Sequence, residues 1–160
     1  MRQLLAVMLI VWADDANAND WIIINDKILH SVYTLRVPET NNKKPAVVKT
    51  IERDAMKLAV LKAETNIALY LDKGRLNREV YTDKEAADFA LRTSYSVKLK
   101  GVQSSTNIVE NIAVGLVSVS MNSIANLEEI LPEKIITENY CSYLYKKAQS
   151  LFNKRDYGIE

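Results

Sequence analysis

The chain has little of what most catalytic and metal chemistry requires. Its 160 residues contain 1 His, 1 Cys, 3 Pro and 4 Gly. One cysteine excludes a disulfide-framed mini-protein. So few glycines and prolines exclude collagen-like and low-complexity architectures. No Cys-x-x-Cys or His-x-x-x-His pair occurs, so a zinc site, which takes about four Cys, His or carboxylate ligands, lacks donors. No Asp-x-Asp-x-Asp-Gly loop is present for calcium. The sequence also has no Gly-x-Ser-x-Gly elbow, phosphate-binding glycine loop or Ser-x-x-Lys motif. Neither sign of charge dominates: 21 Lys+Arg face 20 Asp+Glu, for a formal charge of +1, so a nucleic-acid partner is not expected. No cofactor is expected either. What remains, 48% hydrophobic and 26% charged residues, is the composition of one globular domain and not of a disordered chain.

The first eighteen residues read differently from the rest. Arg2 supplies a positive start, Leu4 to Trp12 is an unbroken apolar run, and Ala16-Asn17-Ala18 places small residues where a signal peptidase reads them. This is the layout of a secretory signal peptide. The run is too short to span a bilayer, which takes about 20 residues. The competing reading is a buried first strand or helix. Cleavage after Ala18 would remove Arg2, Asp14 and Asp15, leaving residues 19–160 as a single domain of formal charge +2. No Cys stands at the cleavage site, so a lipid anchor is not indicated, and a periplasmic or otherwise exported location is expected. There Cys141 is an odd thiol in an oxidising space. Its amphipathic setting among Tyr140, Tyr143 and Leu144 favours a buried small hydrophobe, with an intermolecular disulfide as the alternative.

Asp20–Ile24 and Lys27–Val37 read as two strands joined by a tight turn at Asn25-Asp26. Pro38–Pro45 is a polar surface loop. From Val47 to Asp72 apolar residues recur at three and four, with Ala55, Ala59, Ala63 and Ala68 keeping one side slim; Gly74 is placed to end this helix. Thr82-Asp83-Lys84-Glu85 is a capping-box sequence opening a short helix. Tyr95, Val97 and Leu99 alternate with polar residues as in a half-buried strand, and Gly101–Asn107 reads as a turn-rich connection. Ile108–Met121 reads as one central strand, in which Gly115 admits a close neighbour. A short helix over Ile124–Leu131 and an amphipathic helix over Glu133–Lys154 complete the chain. The expected architecture is α+β: a small, mainly antiparallel sheet packed against a long Ala-spaced helix and a C-terminal helix.

The candidate residues favour structural over chemical roles. His30 is the only candidate base, but a base needs a group to act on and often an orienting carboxylate; a solvent-facing or structural histidine is the expectation. Asp83, Glu85 and Asp88 suit a helix start. Glu128-Glu129 are adjacent and point apart, unlike the facing carboxylates of a glycosidase. Ser104-Ser105-Thr106 is a turn and not a nucleophile context. Lys146-Lys147 and Lys154-Arg155 fit a helix end. Tyr140 and Tyr143 read as core. Tyr145, rotated away, is a candidate interface anchor, as is Cys141 through its disulfide reading.

The Ala-spaced segment Thr50–Ala68, followed much later by Ala113-Val114-Gly115-Leu116-Val117-Ser118-Val119, resembles the LPP-twenty-like and FlgP/FlgT-type small exported envelope proteins. The resemblance covers residues 50–131 and is compositional. It implies an Ala-rich helix packed on a sheet with a Val-rich late strand, in a non-catalytic part or accessory of an envelope machine. The acylated N-terminal Cys of lipidated members is absent. The expected function is a periplasmic, non-enzymatic interaction protein with protein partners in the envelope, in a secretion or motility apparatus. The rival readings are an inhibitor or immunity protein that blocks a toxin or hydrolase, and an enzyme with an unfamiliar site. Homo-oligomers through sheet edges are also compatible.

Overall fold

The computed structural model describes residues 19–124 and 131–156. The expected signal segment, most of the short helix at 124–131 and the Glu128-Glu129 pair lie outside these residues.

Among them the order is β1 (Asn19–Asn25), β2 (Ile28–Arg36), α1 (Pro45–Leu71), α2 (Lys84–Ser96), β3 (Gln103–Val109), β4 (Ile112–Ser120) and α3 (Glu133–Asp156), with single 3-10 turns at Arg78–Val80 and Met121–Ser123. The four strands form one antiparallel sheet in the order β1-β2-β4-β3. The fold is α+β, as expected. Two hairpins lie side by side, joined along β2 and β4.

Both hairpin turns are two residues long. Asp26 and Lys27 have φ of 47° and 64°, and Glu110 and Asn111 have 50° and 64°. Positive φ at both central positions defines the type I′ turn, whose twist matches that of the flanking strands. The first turn is therefore one residue later than expected. The second divides the single strand expected over Ile108–Met121: the polar Glu110-Asn111 pair is a reversal, and β3 ends where that strand was to begin. The supposed turn-rich connection, Gly101–Asn107, holds most of β3. Its Ser, Thr and Asn side chains are exposed because β3 is an edge strand, where polar residues discourage pairing with other chains.

α1 lies across the sheet on its slim side. Ala55, Ala59 and Ala63 are buried, and a Cβ on Gly115 of β4 would collide with the Ala59–Val60 peptide. Close approach thus depends on small groups on both elements. Leu29, Val117 and Val119 of the sheet, Ala63, Ile67 and Leu71 of α1, and Ala90, Leu91 and Tyr95 of α2 form the main core. α1 starts with Pro45 in its first turn, where the missing N–H costs nothing. It ends through Lys73 and Gly74, both at positive φ, with the Gly74 amide donating to the Leu69 carbonyl at 3.0 Å.

The strand expected at Tyr95–Leu99 is not formed. α2 continues through Ser96, and Tyr95 completes the i, i+4 row Ala87–Leu91–Tyr95, all three fully buried. Val97, expected on the buried side of a strand, is 72% exposed. The α2 cap is also one residue later than the capping-box reading. Asp83, not Thr82, is the N-cap, and its carboxylate accepts from the Ala86 amide at 3.0 Å.

Candidate interaction surface

α3 is held on the rest of the fold by its first half and by Lys147. Ile136 is buried in the core. Asn139 donates to Ser94 Oγ at 2.8 Å. The Tyr140 ring meets Tyr81 edge-on at 4.7 Å, its hydroxyl 3.4 Å from Thr82 Oγ1 and the Asp83 amide. Tyr143 stacks at a tilt on Phe89, 4.6 Å between centroids. Tyr140 and Tyr143 therefore sit half-buried in the seam, Tyr140 packed against the main core and Tyr143 on Phe89. The last tie is Lys147, whose Nζ donates to Asp83 Oδ2 at 2.8 Å. That bond, with the Ala86 amide, holds the Asp83 carboxyl below its ordinary pKa, and Asp83 in turn raises Lys147.

Every residue from Tyr145 to Lys154 is exposed. Tyr145 is 70% exposed, Leu151 56% and Phe152 64%. Cys141 is exposed and unpaired, which corrects its reading as a buried hydrophobe. With Ile136, Tyr140 and Tyr143 turned toward α2, the next position is carried about 100° around the helix and out of the seam. Cys141 and Tyr145, the two interface candidates, thus share one open face. With about 100° per residue, Cys141, Leu144, Tyr145, Ala148, Leu151 and Phe152 fall within an arc of about 120°. The remainder of the circumference is polar apart from Tyr143 in the seam: Ser142, Lys146, Lys147, Gln149, Ser150, Asn153 and Lys154.

The other candidates lie elsewhere. His30 is on the sheet face opposite the helices, since its neighbours Leu29 and Val117 face the core. It shares a hydrogen bond of 2.8 Å with Ser118 Oγ across the β2–β4 seam, a partner the sequence reading did not single out. The row through this pair continues to Ile23 and Gln103 and carries no carboxylate to orient the imidazole. Geometrically the pair is a cross-strand stitch. Of the acids at the start of α2, Asp83 caps the helix, Glu85 is exposed and Asp88 is buried. Asp88 accepts from Lys62 Nζ at 2.8 Å and pairs with Arg78 Nε at 3.1 Å. Ser104, Ser105 and Thr106 are exposed on the β3 edge.

A groove of about 370 Å³ runs between α1, α2 and the start of β3, with Glu64 and Arg92 at its rim and Ile67, Leu99, Val102 and Val117 along its walls. Burial raises the Glu64 carboxyl, and the Arg92 charge opposes that shift. Among the described residues no group of three His, Cys, Asp or Glu is placed to hold a metal ion, and no helix is long and apolar enough to cross a membrane. Comparison with protein-family models, curated proteins and solved structures finds no match to this chain.

Proposed function

We propose that the protein is an exported, non-enzymatic interaction protein, an accessory or component of an envelope assembly such as a secretion or motility apparatus. The observation that carries this reading is the free end of α3. There Tyr145, Ala148, Leu151 and Phe152 of the apolar arc are all exposed, whereas Ile136, Asn139, Tyr140 and Tyr143 pack the first half of the helix and Lys147 ties the opposite side to Asp83. A helical end of some ten residues has little stability of its own in water, and exposed aromatic and aliphatic groups gathered on one face mark interaction sites.

Export is supported by the position of Ala16-Asn17-Ala18 immediately before β1: cleavage after Ala18 would leave every described element intact. The packing of Ala59 on Gly115 is the kind of helix-on-sheet contact that the family resemblance implies. The test is a photo-crosslinking residue in place of Tyr145, activated in intact cells and followed by envelope fractionation. A discrete crosslinked protein is expected. Recovery of only uncrosslinked, partner-free monomer would overturn the reading.

A further inference from the structure

We propose that the groove between α1, α2 and the start of β3 binds a small zwitterion, an apolar α-amino acid, with its ammonium on Glu64, its carboxylate on Arg92 and its side chain between the apolar walls. The site shares no residue with the free end of α3 and does not depend on the reading of that helix.

Size and lining point to a small ligand with an apolar body. The groove volume, about 370 Å³, is near the low end of small-molecule pockets, which run from roughly 300 to 1,000 Å³. It suits a single amino acid and is too small for the two chains of a lipid. Ile67 of α1 and Val117 of β4 line it while fully buried themselves, and the more open Leu99 and Val102 extend the same apolar lining toward β3. A branched or aromatic side chain seated there would remove apolar surface from water on both partners.

The charges at the rim select the head group. Glu64 and Arg92 both line the groove and feel each other's charge, yet they form no ion pair. The guanidinium is engaged elsewhere: it donates to Thr65 Oγ1 at 3.3 Å and lies 5.9 Å from the centre of the Phe89 ring. Thr65 is neutral and takes one of several N–H donors, so a carboxylate can accept others. Glu64 is half-buried and makes no hydrogen bond among the described residues. Burial raises its carboxyl more than Arg92 lowers it, so the anion is left short of positive charge. A ligand carrying only a cation would be repelled by Arg92, and one carrying only an anion by Glu64. A molecule with both is attracted to both. In an α-amino acid the ammonium, the carboxylate and the side chain diverge from one carbon, which matches two neighbouring rim charges beside one apolar recess.

The test is an NMR titration of the ¹⁵N-labelled full chain with L-leucine and with L-phenylalanine. At least one is expected to shift the amide signals of residues 64–68, 92–96 and 99–102 saturably, with Kd between about 10 μM and 1 mM. The N-acetyl derivative of that amino acid lacks the cation, its carboxamide lacks the anion, and glycine lacks the apolar group. Each is expected to bind at least about ten-fold more weakly. Glu64→Gln should weaken the amino acid about ten-fold without weakening the N-acetyl derivative, and Arg92→Gln should do the same without weakening the carboxamide. Val102→Asp, at an exposed wall position, should also weaken binding about ten-fold while leaving both rim charges in place. Circular dichroism checks that each variant is folded. No saturable shift with either amino acid would overturn the proposal. So would N-acetyl derivative or carboxamide binding as tightly as the free amino acid, or shifts confined to residues outside the groove.

Discussion

The Tyr95 hydroxyl donates to Asp72 Oδ1 at 2.5 Å within the helix layer, and both residues are fully buried. Asp72, the residue after α1, also accepts from the Leu76 amide at 2.8 Å and from Arg75 at 3.1 Å. The Leu131 amide reaches the same hydroxyl at 3.4 Å, and Arg75 donates to the Leu131 carbonyl. One carboxylate thus joins the end of α1, the last turn of α2 and the entry to α3.

Tyr95→Phe keeps the ring and removes the donor. It is expected to lower stability by about 1–3 kcal/mol, the cost of leaving a buried polar group short of a partner, measured by urea unfolding. Burial, then the Asp72 carboxylate, raises the Tyr95 pKa above its ordinary 10.0. A raised folded pKa contributes stability that is complete below the unfolded value and is lost as pH rises through the folded one. Alkaline unfolding above pH 10 is therefore expected to coincide with the last tyrosine to ionise by ultraviolet absorbance, and Tyr95→Phe should remove that component.

Asp88 is a buried anion held by two cations, Lys62 and Arg78. Either cation alone still neutralises it. Lys62→Met and Arg78→Met are each expected to be mild, and the double variant to cost about 3–5 kcal/mol because it strands the charge. A double-mutant cycle by thermal or urea unfolding checks this; strict additivity would contradict it.

The Asp83–Lys147 bond predicts an acid response. A depressed carboxyl pKa contributes stability that is present above the unfolded value and lost as pH falls through the folded one. Lys147→Ala is expected to move the Asp83 titration, followed by NMR, up toward its ordinary 3.8, and to loosen α3 beyond residue 140 by hydrogen exchange without unfolding the core.

Gly115→Ala is expected to destabilise by about 1–3 kcal/mol, because the new methyl meets rigid α1 backbone and not a side-chain tip. Thermal melts check the loss. Ala59→Gly should not rescue it, since the obstacle is the peptide itself.

The α+β class, the hairpin of β1 and β2, the long α1 and the C-terminal helix were legible because their apolar periods are long and their turn residues sit between them. The segment 94–109 was not. Tyr95, Val97 and Leu99 alternate by coincidence, and the stronger signal was the i, i+4 row from Ala87 through Leu91. β3 was obscured because an edge strand exposed along most of its length has no apolar alternation to display. Tyr145 stood out by its rotation from the Tyr140–Tyr143 side. The exposure of Cys141 depends on how far α3 is rolled against α2, which is set by Phe89, Tyr81 and Ser94, about 45 to 60 positions away in the chain. The burial of Asp72 and Asp88 was hidden for the same reason: their partners converge only in three dimensions.

The arrangement of the sheet also divides the entropy of forming it unequally. Each hairpin closes a two-residue loop. The seam between β2 and β4 instead joins positions such as His30 and Ser118, 88 residues apart, and must gather α1 and α2 into the enclosed loop. Loop-closure entropy grows with the enclosed length, and long-range pairing slows folding. That cost is concentrated on one line of the sheet, so the hydrogen bonds and Leu29–Val119 layer along it must offset more lost chain freedom than any other pair of neighbouring strands here.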